Sequence, residues 1–306
     1  MQMYDVIIAG TGPAGLTAAI YGTRARLKML VFEENYMSGG QVVNTYEVDN
    51  YPGLPEISGM DLSLKFREHA EKLGAEFVRA KVNKIEVKED GTKIVETESG
   101  TYETRAFVLA TGAHHRLLNV PGEESLSGMG VSYCATCDGA FYKGSDVAVI
   151  GGGDVAVEDA IFLARGCRRV YVVHRRDELR AAKSLQEKLF SLPNVEMVWD
   201  SVVDSIEGEE QVDAIRIKNI KDGTVRAISV DGVFVAVGIT PDSDLLKGIV
   251  KMDEGGYILA DESCRTSVPG IFSAGDVRKK PLRQIITAAA DGANAITSVE
   301  KYLIEA

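Results

Sequence analysis

A glycine-rich segment close to the start of the chain constrains the fold more than any other feature. The apolar run from Tyr4 to Ala9 predicts a buried strand, and the segment GTGPAG at residues 10–15 follows it directly, ahead of apolar residues at helical spacing. In such a turn the first glycine permits the tight bend, the second lets backbone approach a pyrophosphate, and the third lets helix and strand pack closely. The residues expected to contact such a cofactor are Gly10, Gly12, Pro13, Ala14 and Gly15.

The next apolar run, from Leu27 to Phe32, ends in the acidic pair Glu33 and Glu34. A carboxylate at the tip of the second strand can accept hydrogen bonds from a ribose diol. The helix N-terminus offers amide donors and a positive dipole to phosphate, so the whole arrangement predicts a dinucleotide site. The competing interpretation is a glycine-rich turn that binds no ligand, and the acid that follows the second strand argues against it.

The same arrangement begins again with a strand over residues 146–150. The segment GGGDVA at residues 151–156 follows it, and a second strand from Val170 to Val173 ends in basic residues instead of an acid. Guanidinium groups there would bind the 2′-phosphate of NADP, which a carboxylate would repel; the competing interpretation is a solvated basic strand end. The residues expected to contact NADP(H) are Gly151, Gly153, Asp154, Val155, Ala156, Glu158, His174, Arg175, Arg176 and Arg180.

Each module also closes in the same way, with a buried strand that runs into glycine. The strand from Phe107 to Ala110 precedes Thr111 and Gly112, and the strand from Val233 to Val237 precedes Gly238. Glycine at these points lets the backbone pass close to a bound nucleotide. One module therefore occurs twice, as an internal repeat.

A later strand ends in Gly275 and Asp276, which suits a second contact with the first dinucleotide. The second module is therefore inserted into the first. These patterns predict an α/β protein with two Rossmann-like, three-layer β/β/α dinucleotide-binding domains. The expected ranges are 1–113 with 245–306 for the first domain and 114–244 for the second, joined by a two-strand hinge.

Length, charge and cysteine content limit the remaining possibilities. A chain of 306 residues has room for two domains. The 34 basic and 45 acidic residues give a net charge of −11, which argues against a nucleic-acid binder. No apolar run approaches the roughly 20 residues that cross a bilayer, and no secretory signal is expected. Four cysteines are too few for a disulfide-stapled secreted domain, so a cytoplasmic protein is expected.

The segment CATCD at residues 134–138 carries the reactive chemistry. The spacing of Cys134 and Cys137 brings two sulfurs within disulfide reach in one helical turn. If that turn opens a helix, the helix dipole stabilises a thiolate. Asp138, next to the pair, is placed to carry a proton to or from a thiol. The segment therefore predicts a redox-active dithiol.

Two other interpretations of the cysteine pair are weaker. A structural zinc site would need two further ligands, whereas Cys167 and Cys264 stand alone and His114 and His115 lack ligand spacing. The remaining alternative is two buried free cysteines that are neighbours by accident. Cys167 and Cys264 are expected to be ordinary buried or half-buried thiols, and no metal is expected.

Two dinucleotide sites and a dithiol describe an electron relay. Direct hydride attack on sulfur is poor chemistry, so a flavin normally mediates, and FAD fits the first site. The chain resembles the low-molecular-weight, bacterial-type thioredoxin reductases, class II pyridine nucleotide-disulfide oxidoreductases, over essentially its whole length. The motifs that carry the resemblance are GTGPAG (10–15), GGQ (39–41), NYPG (50–53), CATCD (134–138), GGGD (151–154), HRR (174–176) with Arg180, AGDV (274–277) and PLRQ (281–284).

The resemblance implies an enzyme that passes electrons from NADPH through FAD and the Cys134–Cys137 disulfide to the disulfide of thioredoxin. It also implies a homodimer, a large rotation between the domains, and a position for Cys137 nearer the flavin, which spacing alone leaves open. Val155 departs from the more usual serine. The resemblance and the strand ends described above together predict the following FAD contacts: Gly40, Gln41, Asn50, Val82, Thr111, Gly112, Gly275, Asp276, Arg283, Gln284 and Ile285.

The identity of the electron acceptor stays open at this stage. The same chemistry can serve a glutaredoxin-like carrier or a peroxiredoxin component, because acceptor specificity depends on surface shape. A flavoprotein sensor that signals through its thiols is a different class of function. Such a sensor has no obvious need for a separate NADP phosphate pocket.

Overall fold

The computed structural model describes residues 3–45 and 47–305. The chain forms two compact units. The first unit contains the residues up to His114 and from Thr240 onward, and the inserted unit contains His115–Ile239. The chain thus crosses between units after residues 114 and 239, where the sequence predicts hinge crossings near Ala113 and Gly238 and domain ranges that end at 113 and 244. The α/β class, with one Rossmann-like unit inserted into another, is confirmed.

Helices and strands are numbered along the described residues. The strands are β1 (Met3–Ala9), β2 (Met29–Glu33), β3 (Phe77–Arg79), β4 (Val82–Val87), β5 (Lys93–Thr97), β6 (Gly100–Leu109), β7 (Ala113–His115), β8 (Val131–Ser132), β9 (Asp146–Ile150), β10 (Arg169–Val173), β11 (Val195–Val198), β12 (Ser201–Glu207), β13 (Ala214–Asn219), β14 (Val225–Ser229), β15 (Gly232–Val235), β16 (Ile239–Pro241) and β17 (Ile271–Ser273). The α-helices are α1 (Pro13–Arg24), α2 (Gly59–Lys72), α3 (Ala135–Asp138), α4 (Asp154–Leu163), α5 (Lys183–Phe190) and α6 (Ile285–Glu305). Short 3-10 segments cover Gly40–Asn44, Gly139–Tyr142 and Asp244–Leu246.

The first unit is built on a sheet with the strand order β3-β2-β1-β6-β5-β4, and β17 lies beside β6. Strands β3, β2, β1, β6 and β17 are parallel, whereas β4 and β5 are antiparallel to their neighbours. In β1, Val6 and Ile8 pack with residues of α1 and α6, and Ile7 and Ala9 pack on the opposite face. Because both faces are covered, β1 is an unbroken apolar run. Each buried valine or isoleucine stabilises the unit by roughly 1.5–3 kcal/mol.

The inserted unit has three layers, whereas the strands β1–β6 and β17 of the first unit form one mixed sheet. Its parallel sheet has the order β11-β10-β9-β15-β8, and the antiparallel sheet β12-β13-β14 forms a second layer. Val147 and Val149 of β9 pack in one cluster with residues of α4. Ala148 and Ile150 pack on the other face with residues of the antiparallel sheet. The alternation along β9 thus separates a helical layer from a sheet layer, as the β/β/α prediction requires.

Both parallel sheets place their glycine-rich turns at the carboxyl end of a central strand, after β1 and after β9. Parallel α/β sheets bind nucleotides at this end. The tips of β2 and β10, which lie next to β1 and β9, come to the same edge. Among residues 3–45 and 47–305, no helix has the length and hydropathy needed to cross a membrane.

Candidate active site

The turn after β1 leaves no room for side chains at two of its glycines. Gly10 has φ +106°, and a Cβ there would overlap the carbonyl oxygen of Ala110. A Cβ on Gly15 would overlap the carbonyl oxygen of Gly10. Around Gly12, in contrast, no atom of the described chain lies within 4 Å of the Cβ position. The turn is therefore closed toward the protein and open at Gly12, where a ligand can approach the start of α1.

A second segment packs against this turn and brings two predicted contacts to it. The amide of Gly39 donates to the carbonyl oxygen of Thr11 at 2.8 Å. A Cβ on Gly40 would lie 3.4 Å from the Cα of Gly12. Gly40 begins the 3-10 segment that contains Gln41, and both residues are exposed. The structure thus places Gly40 and Gln41 at the open side of the turn.

The two acids at the tip of β2 have different environments. Glu33 is buried, its Oε1 accepts from the amide of Asn35 at 2.8 Å, and its Oε2 is buried without a hydrogen-bond partner among the described residues. Burial raises the pKa of this carboxyl. Glu34 is exposed and forms an ion pair with Lys81 at 2.5 Å. Glu33 therefore offers a free acceptor to a ligand, while the carboxylate of Glu34 is already engaged with a lysine.

The segment that follows β17 contributes further predicted FAD contacts. Asp276 Oδ1 and Arg283 Nε are both buried without a partner among the described residues, and burial raises the pKa of Asp276. The Arg283 guanidinium lies 4.2 Å from the ring centre of Tyr257. The side-chain amide of Asn50 donates to Gln284 Oε1 at 3.0 Å. Asn50 and Gln284, which are far apart in sequence, are thus brought together.

The remaining residues predicted for the first site occupy supporting positions. Thr111 Oγ1 donates to the carbonyl oxygen of Asp242 at 2.6 Å, and the amide of Asp242 donates to the carbonyl oxygen of Gly112 at 3.0 Å. Val82 is the first residue of β4, and Ile285 is the first residue of α6. Gly275 donates its amide to Asp291 Oδ2 at 2.9 Å. Asp291 is a residue that sequence reasoning missed.

The turn after β9 repeats the geometry of the first turn. A Cβ on Gly151 would overlap the carbonyl oxygen of Ala236, whereas around Gly153 no described atom lies within 4 Å of that position. Asp154 Oδ1 accepts from the amide of Ala182 at 2.7 Å, so this carboxylate supports a loop. Val155 and Glu158 are exposed on α4, and Ala156 is buried under the turn.

The basic residues at the end of β10 surround this second turn. The amide of Arg180 donates to the carbonyl oxygen of Gly152 at 2.7 Å, and a Cβ on Gly152 would overlap the ring of His174. Arg175, Arg176 and Arg180 are exposed, and among the described residues no carboxylate lies within 4 Å of their guanidinium groups. Burial, helped by these arginines, lowers the pKa of His174. The cluster therefore offers positive charge without a protein anion to neutralise it.

Cys134 and Cys137 form a disulfide, with Cα atoms 5.3 Å apart. Cys134 is the N-cap of α3, and its carbonyl oxygen accepts from the amides of Cys137 at 3.2 Å and Asp138 at 3.1 Å. This single turn places the first cysteine at the start of a helix and the second inside it. The predicted pairing of the two cysteines is confirmed.

Asp138 is held by a serine that sequence reasoning missed. The Ser132 hydroxyl donates to Asp138 Oδ2 at 2.5 Å and accepts from the amide of Cys134 at 3.1 Å. Burial raises the pKa of Asp138, and the hydrogen bond from Ser132 opposes that effect. The sequence signal that could have indicated this contact is a serine two residues before the first cysteine. In the structure this serine is buried at the end of β8.

The other two cysteines and the pair His114 and His115 have the following environments. Cys167 and Cys264 are buried free thiols, as predicted, and burial raises the pKa of Cys167 to about 11 and that of Cys264 to about 12. His114 Nδ1 lies 2.8 Å from Asp242 Oδ1, and His115 stacks on Tyr133 with ring centres 5.1 Å apart. Within the part of the chain that the structure describes, no three His, Cys, Asp or Glu side chains are grouped to hold a metal ion.

Comparison with known proteins assigns the family. The family model of pyridine nucleotide-disulphide oxidoreductases matches residues 4–292. The chain belongs to the pyridine nucleotide-disulphide oxidoreductase family. It is 46% identical to the thioredoxin reductase of Peptoclostridium acidaminophilum, over 99% of this chain and 98% of that protein. It is 47% identical to the thioredoxin reductase of Listeria innocua, over 99% of this chain and 95% of that protein. The crystal structure of thioredoxin reductase from Streptococcus pyogenes superposes with a TM-score of 0.95, at 47% identity and 99% coverage of both chains.

Membership in this family confirms that the chain is an oxidoreductase enzyme of the thioredoxin reductase type. The chemistry of pyridine nucleotide-disulphide oxidoreductases implies a flavin and a nicotinamide cofactor. The Cys134–Cys137 disulfide accordingly fits the redox disulfide of such an enzyme. The assignment of individual residues to each cofactor stays a prediction.

Proposed function

We propose that this oxidoreductase uses NADPH to reduce the disulfide of thioredoxin, with FAD as its flavin. The Cys134–Cys137 disulfide carries the proposal, because it lies in the same unit as a glycine-rich turn flanked by arginines. A dithiol reduces a protein disulfide by exchange, and arginines favour a phosphorylated coenzyme. The similarity to proteins named thioredoxin reductase supports thioredoxin as the client.

The first unit fits FAD. Four buried side-chain polar atoms of this unit have no partner among the described residues, and three of them, Glu33 Oε2, Asp276 Oδ1 and Arg283 Nε, belong to predicted FAD contacts; the fourth is Ser273 Oγ. Buried polar groups almost always have partners, so a bound dinucleotide that reaches those three atoms accounts for them. Glu33 would accept from the ribose of the adenosine half, and Asp276 would accept from the ribityl chain. Gly12 would leave room for the pyrophosphate at the start of α1.

The inserted unit fits NADPH. Gly153 would admit the pyrophosphate to the start of α4, as Gly12 does in the first unit. Arg175, Arg176 and Arg180 would bind the 2′-phosphate of the coenzyme. The backbone bond from Arg180 to Gly152 keeps one of these arginines next to the turn. NADH lacks the 2′-phosphate and would gain nothing from these groups.

FAD, when bound, supplies the two-electron transfer from NADPH to a disulfide, which amino-acid side chains cannot perform alone. The reduced dithiol of Cys134 and Cys137 then reduces the client in two exchanges. One thiolate, which we assign to Cys134, attacks a client sulfur, the client S–S bond breaks, and the released client thiolate takes a proton. The Cys137 thiol then loses its proton and attacks Cys134 in the mixed disulfide, which restores the enzyme disulfide and releases the second client sulfur as a thiolate that is protonated.

Asp138 would exchange the protons that these steps require. It directly follows Cys137, and Ser132 fixes its carboxylate against the backbone of Cys134. Because burial raises its pKa, a larger share of the carboxyl is protonated near neutral pH than in an exposed aspartate. This is the property that a group needs to alternate between acid and base.

Further features of the proposal rest on the family resemblance. We expect a cytoplasmic homodimer whose units rotate about the crossings at residues 114 and 239, so that the flavin meets either the nicotinamide or the dithiol. The net charge of −11 supports a protein client over nucleic acid. Neither a membrane nor a metal is part of the proposed cycle.

Cys137→Ser tests this function. The variant is expected to retain FAD, with its yellow colour and its bleaching by NADPH, and to lose thioredoxin reduction. Cys167→Ala is the matched control, because Cys167 is a buried free thiol of the same unit and is expected to leave turnover intact. Full thioredoxin reduction by Cys137→Ser would refute the dithiol route. Faster turnover with a glutaredoxin-like carrier or a peroxiredoxin component would refute thioredoxin as the client.

A further inference from the structure

Helix α6 carries a buried carboxylate for which the proposed function gives no role. Asp291 is 4% exposed, and the hydrogen-bond partners of its side chain among the described residues lie in one segment of the chain, Gly275 to Lys280. Asp291 Oδ2 accepts from the amide of Gly275 at 2.9 Å and from Lys280 Nζ at 2.7 Å. Arg278 donates to both oxygens, with Nε 2.8 Å from Oδ2 and Nη2 2.8 Å from Oδ1. One carboxylate therefore holds the segment through hydrogen bonds to three of its residues.

The charges in this contact depend on Asp291. The side chains of Asp291, Arg278 and Lys280 are each only 5% exposed, so both cations have lost most of their hydration. Burial acts to raise the pKa of Asp291, but the bonds from Arg278 and Lys280 outweigh it and lower the pKa below its ordinary value. When one partner of a buried ion pair is removed, the other is left as an uncompensated buried charge. The ionised form of Asp291 therefore provides the nearest counter-charge to both cations, since the exposed Glu262 lies 3.9 Å from Arg278 Nη2.

The position of Asp291 is itself fixed by the packing of α6. A Cβ on Gly292 would overlap the carbonyl oxygen of Ala14 and would lie 2.9 Å from the amide nitrogen of Ala18. The backbones of α6 and α1 thus touch at the residue that follows Asp291. Because Ala14 belongs to the first glycine-rich turn, α6 holds a fixed position relative to that turn.

Asp276 lies between residues that are hydrogen-bonded to Asp291. Its neighbour Gly275 is tied through the backbone, and Arg278 and Lys280 are tied through their side chains. The free Oδ1 of Asp276 is buried within this loop, and Arg283, with its own unpartnered Nε, ends it. The three contacts of Asp291 therefore determine where Asp276 presents its unpartnered Oδ1, and they fix the chain three residues before Arg283.

We propose that Asp291 is a positioning residue, which holds the Gly275–Arg283 loop in the shape that binds the flavin dinucleotide. The proposal rests on the assignment of FAD to the first unit. Asp291 does not itself touch the cofactor. It acts by placing the Gly275 amide and the Asp276 carboxylate, and the contact of Gly292 with Ala14 links that placement to the pyrophosphate turn.

The test compares FAD retention by Asp291→Asn and Ser298→Ala holoenzymes. An asparagine keeps the shape of Asp291 but cannot neutralise Arg278 and Lys280. Ser298 is the matched control, because it lies on the same helix and donates to the carbonyl oxygen of Ser263 at 2.7 Å, away from the loop. Release of fluorescent FAD on dilution gives the dissociation constant. We expect it to rise at least tenfold in Asp291→Asn and less than twofold in Ser298→Ala.

A second measurement separates positioning from a general loss of stability. The Tm of each variant is recorded with and without excess FAD. If Asp291 has only a structural role, Asp291→Asn lowers the Tm without FAD and the Tm with FAD by the same amount. If Asp291 is a positioning residue, the variant also reduces the increase in Tm that FAD produces. A dissociation constant within twofold of wild type, or an unchanged FAD-dependent increase, overturns the proposal.

Lys280→Met keeps the proposal testable if Asp291→Asn does not fold. That variant retains the ion pair between Asp291 and Arg278 and loses the contact between Asp291 and Lys280. We expect its dissociation constant for FAD to rise at least threefold, and a wild-type value overturns the proposal. A wild-type protein that binds no flavin at all contradicts the proposed function instead, so the two failures are distinguishable.

Discussion

The replacement Lys93→Met should change how the stability of the first unit depends on pH. Lys93 lies in β5 with no exposed surface, and its Nζ donates to the carbonyl oxygen of Arg105 at 2.8 Å and to the hydroxyl of Tyr302 at 3.2 Å. Burial lowers its pKa from 10.5 to about 8. A neutral amine retains hydrogens for both bonds, so the cost of burial falls mainly on the charged form.

The sign and size of the effect follow from this shift in pKa. Below pH 8, Lys93 is charged in the folded and the unfolded chain, and folding must bury the charge. Between pH 8 and 10.5 the unfolded chain binds more protons than the folded one, so the free energy of unfolding rises with pH. Met at position 93 has no proton to lose. The free energy of unfolding of the wild type, minus that of Lys93→Met, should therefore increase by about 2.5 kcal/mol between pH 7 and pH 10.

Urea unfolding of both proteins at pH 7, 8, 9 and 10, at one fixed FAD concentration, measures this difference. Titrations common to the two chains cancel when the free energies of unfolding are subtracted. Lys84→Met is the matched control, because Lys84 lies in the neighbouring strand β4, is exposed, and should give a nearly constant difference over this range. A wild-type minus Lys93→Met difference that stays level, or falls as the pH rises, would refute the reasoning.

Two further predictions concern the inserted unit. Ser132→Ala removes the hydroxyl that lowers the pKa of Asp138, so the alkaline limb of the pH profile of kcat/KM for thioredoxin should move to higher pH. Ser132→Thr keeps a hydroxyl and should retain the wild-type profile. An unmoved alkaline limb in Ser132→Ala would contradict the assigned role of Asp138. Replacing Arg175 and Arg176 together with glutamine should raise KM for NADPH by about tenfold or more and leave KM for NADH nearly unchanged, and an equal rise for both coenzymes would assign the arginines another role.

The sequence was most informative where a residue's environment depends on its near neighbours. The strand expected over residues 146–150 has the bounds of β9, because a run covered on both faces is apolar throughout. The alanine-rich sequence after Gln284 predicts a helix over residues 285–303, and in the structure α6 begins at Ile285 and extends to Glu305. In the antiparallel sheet β12-β13-β14 one face is exposed, so its strands mix polar and apolar residues; the β/β/α prediction implied such a layer, but no apolar run marks where its strands begin and end.

Contacts between distant side chains could not be predicted in this way. Asn50 and Gln284 meet across 234 positions, and no local pattern indicates that they do. Asp291 resembles any acid in an alanine-rich helix, and its burial becomes evident only when α6 packs against the loop after β17. Glu33 and Glu34 are equivalent in sequence, but Glu33 is the last residue of β2, which is buried throughout, whereas Glu34 follows the strand, is exposed and pairs with Lys81.

The two glycine-rich turns show how one backbone design serves two cofactors. In each turn the first glycine meets the carbonyl oxygen at the end of the module's closing strand, at Ala110 and at Ala236, so neither position can carry a side chain. The third position differs, since Gly15 faces the carbonyl oxygen of Gly10 whereas Ala156 is accommodated in the inserted unit. These constraints concern only the approach of a pyrophosphate and cannot distinguish one dinucleotide from another. We therefore expect the distinction to arise at the tips of β2 and β10, where a buried carboxylate in one unit and exposed guanidinium groups in the other would face the ribose.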